Sequence, residues 1–292
     1  MILIEESYRD WQKSQYPGHL LYGFTFLQKY GIEAFLHRIP FNPYKWRLRL
    51  SLYNLFSILF CRKKFDAIYA VTHHGLELLV YLRALKLYRK PIVIWHHTAI
   101  IIPENPVRRI FSSLFYKGID KACFFSQSLL DKSIETRKIH RENAFLIHWG
   151  ADLIFYDNIK KQHNRNESTK YISTGQENRD IATLIEAFNQ TNQSCEIYLP
   201  AWNPIYKAQL QKNSVINENI RLFYVNARYI EMAKKVNEAF AVVIPCLSNP
   251  YTVGLTSLVE AMALGLPVQQ TIQHILLMLK KSILESKFLM EI

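Results

Sequence analysis

Apolar residues along the chain alternate between short dense runs and longer stretches in which they recur every three or four positions. In the first half, Met1–Glu5 reads as an opening strand, and Leu20, Leu21, Phe24 and Leu27 give Gly18–Tyr30 the spacing of a helix. Asp66–Val71 is β-branched and aromatic, and Leu76–Tyr88 after it is helical in spacing. Pro91–Trp95 is a dense apolar run closing on His96 and His97, and Ala122–Ser126 and Ala144–Ile147 read as two more buried strands. Strands that are apolar on both faces and separated by helices predict a parallel sheet covered on both sides. Roughly six strands are expected in this first sheet.

Between Asn158 and Lys170 the chain turns polar and charged, with one aliphatic residue, which predicts a linker. Alternation then resumes, with strands at Tyr171–Ser173, Glu196–Leu199, Arg221–Val225 and Ala241–Pro245 and a helix at Ile181–Asn189. The expected fold class is therefore α/β, with two doubly wound Rossmann-like domains over residues 1–157 and 158–292.

Composition fits that picture and narrows the partners. A chain that is 49% hydrophobic and 21% charged builds sizeable cores rather than remaining disordered. The net charge of +12 suits an anionic partner such as a nucleic acid, a lipid surface or a phosphorylated small molecule. No nucleic-acid reading motif accompanies the charge, so nucleic acid is set aside. Four cysteines lie far apart without a CxxC, which argues against a zinc ribbon, a redox motif or a disulfide framework. The start of the chain turns acidic too soon for a signal peptide, and no apolar run reaches the ~18 residues of a spanning helix. A soluble or surface-bound protein of a reducing compartment is expected.

The basic excess gathers in Lys45–Lys64, where an apolar, aromatic stretch is bracketed by Lys45, Arg47 and Arg49 and by Arg62, Lys63 and Lys64. Two readings stand side by side: a helix lying in a membrane interface with its cations on anionic head groups, or a core helix with solvated basic ends.

Candidate chemistry concentrates in Ile244–Val268. An apolar strand runs into Pro245 and a polar loop, Gly254 follows, and a helix then extends to Leu264 before Gly265 and Pro267 stop it. Strand, glycine loop and helix N-terminus make an anion site from the backbone N–H groups near Gly254, Leu255 and Thr256. Glu260 stands inside that helix, within reach of a sugar hydroxyl of a ligand whose phosphates lie at the cap. A capping loop with a surface glutamate is the plainer alternative.

The segment SLVEAMALGLPV after TVGLT resembles the donor-binding motif of GT-B glycosyltransferases, specifically the retaining family 4. Ser173–Phe188 is similar to the segment opening that family's second domain, and Ala144–Asp157 to the stretch closing its first. Trp95–Thr98 resembles the strand-end histidine that faces the transferred sugar, and Pro17–Ala34 the first glycine-bearing loop and helix. The resemblance runs from residue 1 to about Val268. It implies transfer of a hexose from a nucleoside diphosphate sugar to a glycan or lipid-linked acceptor with retention, in cell-surface polysaccharide synthesis, without a cofactor. It also implies residence in the cytoplasm, with peripheral contact to the inner face of the cell membrane.

Site roles follow from the same resemblance. Glu260 binds the ribose hydroxyls; Thr252, Gly254, Leu255 and Thr256 form the donor loop, the last two giving N–H groups to the diphosphate. Gly18 and Gly175 form close-approach turns, Arg179 pairs with the departing phosphates, and His97 contacts the sugar. For Arg179 a surface salt bridge with Asp180 or Glu186 is the alternative; for His97 and His96 it is a structural strand end. No metal ligand is nominated: His73 and His74 point to opposite faces of a strand, and no Asp-x-Asp occurs.

Three departures qualify the likeness. Thr252 stands where the family has the first of two glutamates eight positions apart, and Gln176 stands where a basic residue is common. Beyond Val268 the tail Gln269–Ile292 reads as one amphipathic helix without strand signals. The second domain is therefore expected to be incomplete, truncated after about residue 268, and the less stable of the two. A catalytically inactive GT-B-like protein remains the alternative to an active transferase.

Overall fold

The computed structural model describes residues 4–39, 47–162, 168–175, 177–201, 203–210, 215–247 and 253–270. The chain forms two compact units: His19–Trp149 with the N-terminal segment up to Arg9, and Asp10–Gly18 with the chain from Gly150 onward.

Among the described residues the first element is a helix, α1 Ile4–Gln12, which takes in the end of the expected strand Met1–Glu5; Met1–Leu3 lie outside the described residues. Ser7, Tyr8 and Trp11 lose solvent on one face, a helical spacing that the apolar start of the chain conceals. Glu5 and Glu6 occupy the first turn, and Arg9 pairs with Glu5 at 2.6 Å, which suits the helix dipole. Gly18–Tyr30 is likewise not one helix. It forms two 3₁₀ turns, Gly18–Leu21 and Phe24–Tyr30, separated by left-handed backbone at Tyr22 (φ 52°) and Gly23 (φ 81°).

The rest of the first unit follows the expected order: α2 Arg47–Leu59, β1 Ile68–Ala70, α3 Glu77–Ala84, β2 Ile92–His96, α4 Pro106–Lys117, β3 Lys121–Phe124, α5 Gln127–Glu135 and β4 Ala144–Leu146. The sheet is parallel in the order β1-β2-β3-β4, with Ile94 beside Ala122 and Ala122 beside Ala144. Among the described residues it has four strands, fewer than the six expected, because residues 4–39 form helical turns and irregular chain rather than sheet. Its core joins Ile92, Ile94 and Phe124 to Leu79, Val80, Phe115 and Leu130.

The second unit contains α6 Leu153–Gln162, β5 Tyr171–Ser173, α7 Ile181–Asn189, β6 Cys195–Pro200, α8 Pro204–Leu210, β7 Ile220–Val225, α9 Tyr229–Asn237, β8 Ala241–Ile244, α10 Leu255–Ala263 and β9 Val268–Gln270. Helix α6 runs through the first residues of the polar stretch expected to be a linker; residues 163–167 lie outside the described residues. The five-stranded parallel sheet has the order β7-β6-β5-β8-β9. Both faces are apolar, as a buried parallel strand requires. Ile172, Val242 and Ile244 pack against α6, α9 and α10 on one side. Ile197, Leu199 and Val243 pack against α7 and Tyr206 of α8 on the other.

Gln269 and Gln270, expected to begin a helical tail, instead extend from Val268 as a strand that pairs with Val242–Ile244 and covers the edge of β8. Gly265 ends α10 in left-handed backbone (φ 69°), and Pro267 then favours the extended strand start. Residues 271–292 lie outside the described residues.

Helices α3 and α4 approach so closely that Gly118, just past α4, has no room for a side chain. A Cβ there would stand 2.0 Å from the Val80 carbonyl oxygen. Gly118→Ala should cost about 2 kcal/mol or more in chemical denaturation. Gly150→Ala, in open space, should stay within about 0.5 kcal/mol of the parent.

Candidate functional site

Strand order in the second unit reverses between β5 and β8, which are neighbours in the sheet although β6 follows β5 in the chain. Loops leaving the carboxyl ends of two such strands diverge and open a crevice, the usual ligand position in open α/β sheets. The loops here carry Gly175–Arg179 and the approach to Gly254. They are tied together: Asp180 N–H donates to the Pro245 carbonyl at 2.8 Å, Leu247 N–H to the Asn178 carbonyl at 3.0 Å, and Arg179 bridges Cys246 antiparallel.

Arg179 lies inside this junction with 5% of its surface exposed. Its Nε donates to the Thr174 carbonyl (3.2 Å), Nη1 to the Glu177 carbonyl (3.0 Å) and Nη2 to Ser257 Oγ (3.1 Å). No carboxylate lies within ion-pair distance among the described residues. A surface salt bridge is therefore not what holds it; Asp180 instead caps α7 through Thr183 (3.1 and 2.9 Å). Burial pulls the guanidinium pKa below its ordinary value, partly offset by Cys246, Tyr206 and Glu260. The side chain folds over Gly175, whose φ is 135°; a Cβ there would meet the guanidinium at 2.3 Å. Gln209 fixes the backbone, donating to the Arg179 carbonyl (3.0 Å) and accepting from Ile181 N–H (2.8 Å).

Gly254 opens α10 in left-handed backbone (φ 80°), with no side-chain cap and no acidic residue in the first turn. A Cβ would stand 2.8 Å from Ile244 and 2.9 Å from the Cys246 sulfur, so only glycine fits. The first intrahelical bond is Leu258 N–H to the Gly254 carbonyl at 3.0 Å. Leu255, Thr256 and Ser257 therefore carry the N–H groups that a helix leaves without an internal partner. The contrast with α7 decides which N-terminus suits an anion. Asp180 neutralises one, whereas the other meets a buried arginine through Ser257. Helix dipole and guanidinium converge on one spot.

Glu260 lies one turn beyond Ser257 on the same helix face. Its Oε1 accepts from the Tyr229 hydroxyl, which in turn meets the Tyr156 hydroxyl at 2.8 Å. The residue is half-buried, but desolvation of the carboxyl pushes its pKa up to about 7 against the pull of Tyr229 and Arg179. Burial raises Tyr229 well above its ordinary value, with Glu260 and Tyr156 adding to the shift.

The structure thus brings Gly175, Arg179, Gly254, Leu255, Thr256 and Glu260 together in the second unit. Thr252 and Gln176 lie outside the described residues. Gly18 is buried, and its N–H is committed to Asp152 Oδ2 at 2.8 Å. His97 belongs to the first unit, just past β2. Its Nε2 bonds the Val71 carbonyl at 2.9 Å, and because a carbonyl only accepts, that nitrogen carries the hydrogen. Loss of solvent around the ring lowers its pKa, so Nδ1 offers a lone pair at neutral pH. His96 is buried, its pKa pushed down to about 3 by burial, against Phe124 at 5.3 Å. Ser257, Tyr229, Tyr156 and Gln270 escaped the sequence reading. Gln270 contacts Cys246 and Val253 from β9 and so backs the Gly254 loop. Among the described residues no cluster of three or more metal-ligating side chains occurs.

No protein-family model matches the chain, and no curated protein matches it in sequence. Solved structures do match in fold. HepE of Anabaena, solved with UDP-glucose, is 16% identical, with 84% of this chain and 69% of that chain covered and a TM-score of 0.55. Trehalose 6-phosphate synthase of Burkholderia multivorans is 13% identical, with 80% and 63% covered and a TM-score of 0.57. UDP-N-acetylglucosamine 2-epimerase of Rickettsia bellii is 13% identical, with 87% and 69% covered and a TM-score of 0.52. The fold is that of GT-B proteins. The chain spans about two thirds of the length of these structures, and at such identities the likeness carries the fold alone.

A raised carboxyl pKa has a definite consequence for stability. The folded state prefers Glu260 protonated, so its contribution is intact below the ordinary value of 4.5 and is lost as pH rises to about 7. Glu260→Gln keeps an acceptor for Tyr229 without the charge. It should melt with the parent at pH 4 and above it at pH 8, by about 1–2 kcal/mol after allowance for partial exposure. Parallel melting curves at both pH values would contradict the assignment.

Proposed function

We propose that the second unit binds a nucleoside diphosphate sugar, and that the protein is a hexosyltransferase of the retaining GT-B family 4 type. The observation that carries this reading is the convergence of buried Arg179, lacking a carboxylate partner among the described residues, with the N-terminus of α10 at the strand-order reversal. Two concentrated positive elements fit a diphosphate, and Glu260 one turn along the helix supplies an acceptor for ribose hydroxyls. HepE, solved with UDP-glucose, shares the fold and makes uridine the first base to try.

In this reading residues 158–292 hold the donor, through Gly175, Arg179, Thr252, Gly254, Leu255, Thr256 and Glu260. Residues 1–157 serve the acceptor, with Gly18 in a close-approach loop and His97 offering Nδ1 to a hydroxyl of the transferred sugar. The acceptor hydroxyl oxygen bonds to the anomeric carbon on the face from which the diphosphate departs. The carbon–phosphate-oxygen bond breaks, and the departing phosphate oxygen takes the hydroxyl proton. Arg179 and the α10 N–H groups stabilise the negative charge that builds on the leaving group, which is electrostatic preorganisation. The acceptor is a glycan or a lipid-linked sugar, and the setting is cell-surface polysaccharide synthesis in the cytoplasm.

The test is release of nucleoside diphosphate from UDP-, GDP-, ADP- and TDP-hexoses, with product configuration read by NMR. Turnover that retains configuration is the expected result; diphosphate binding without any turnover would instead favour an inactive binding protein. Arg179→Ala should weaken nucleoside diphosphate binding about 10–100-fold, the range for a hydrogen bond to a charged group. Binding of the matching nucleoside should change little. Equal losses for both ligands would point to loop collapse rather than a lost phosphate contact.

A further inference from the structure

Helix α2 is apolar on two faces, and only one of them serves the core. Leu50, Ser51 and Asn54 are buried, and Leu55 and Ile58 pack on the core of the first unit. On the other side Leu48, Leu52, Phe56, Leu59 and Phe60 are 70, 40, 55, 45 and 77% exposed. Four of these recur every four residues, so they form one stripe along the helix and its end. Phe56 and Phe60 stack at 6.4 Å. Arg47, Arg49, Arg62, Lys63 and Lys64, all exposed, bracket the stripe, and no Asp or Glu occurs from residue 47 to residue 64. At the C-terminal end Lys63 Nζ lies 5.0 Å from the ring of half-exposed Phe35, and Lys90 Nζ lies 3.6 Å from that of Phe65. Aromatic rings beneath lysine ammonium groups suit a boundary between apolar and aqueous phases.

We infer that α2 docks the protein on an anionic lipid bilayer, lying in the plane of the head groups with Leu48, Leu52, Phe56, Leu59 and Phe60 in the acyl boundary. Charge complementarity selects this occupant. Arg47 is paired with Glu77 at 3.3 Å, but Arg62, Lys63 and Lys64 have no ion-pair partner among the described residues; anionic head groups supply the opposite sign while hydrocarbon takes the stripe. A second copy of the chain fits poorly, because a two-fold axis would set one cationic helix end against another. Nucleic acid would meet the cations but leave aliphatic side chains uncovered. With 13 residues α2 is too short to span a bilayer. Among the described residues no helix is long and apolar enough to cross one. This docking does not rest on the donor reading.

The test is co-sedimentation of the full chain with vesicles of phosphatidylcholine alone and with vesicles containing phosphatidylglycerol. Binding should require the anionic lipid and weaken as salt rises above about 0.1 M. The triple variant R62Q/K63Q/K64Q should bind on the order of a hundredfold more weakly, at about a fivefold loss for each cation removed. The variant F56S/F60S should lose at least about tenfold through the apolar arm alone. Circular dichroism melts of both variants should match the parent, since the changed residues are exposed. Equal pelleting with neutral and anionic vesicles, no pelleting with either, or parent-like binding by either variant would overturn the inference.

Discussion

A guanidinium buried with no carboxylate beside it is costly unless the surrounding dipoles are arranged to hold it. Arg179 is such a group, and the architecture at the carboxyl end of the second sheet follows from accommodating it. Its donors need the carbonyls of Thr174 and Glu177, so the β5–α7 loop must wrap around the side chain. The wrap needs Gly175, because any Cβ would occupy the guanidinium's own space. Its remaining contact, Ser257, joins that loop to the first turn of α10. One side chain thus ties together the two loops that diverge at the strand-order reversal.

The same constraint gives the site its chemical character. Asp180 neutralises the N-terminus of α7, and Gly254 leaves that of α10 open. Of these two helix starts, positive potential therefore builds at that of α10, beside a cation with no counter-ion among the described residues. Glu260 sits a turn further along, held by Tyr229, whose hydroxyl also meets that of Tyr156, and its carboxyl is short of solvent there. A ligand with a diphosphate at one end and paired hydroxyls a few ångströms away satisfies both groups. That complementarity links the fold to the proposed donor.

Much of this was legible in the residues. Runs apolar on both faces, such as Ile92–His96 and Ala241–Ile244, announced buried parallel strands. The Gly254–Glu260 segment announced a helix N-terminus with an acid inside it. Four features were hidden for physical reasons. The start of the chain carries its helical period through Ser7 and Tyr8, which a count of aliphatics misses. Tyr22 adopts left-handed backbone beside Gly23, so one apparent helix becomes two short turns. Val268–Gln270 is a strand because β8 offers an edge, and two glutamines give no local sign of that. Tyr229 is 31 residues from Glu260, and its partnership exists only in the folded chain.

In the donor-binding role proposed above, the Arg179 loop and the α10 N-terminus act as one preorganised diphosphate site. Hydrogen–deuterium exchange with and without inorganic pyrophosphate tests it most directly, because that ligand carries neither base nor sugar. Slowed exchange confined to the peptides carrying Gly175–Arg179 and Gly254–Ser257 is the predicted result. Protection elsewhere in the chain, or none at saturating pyrophosphate, would contradict the account.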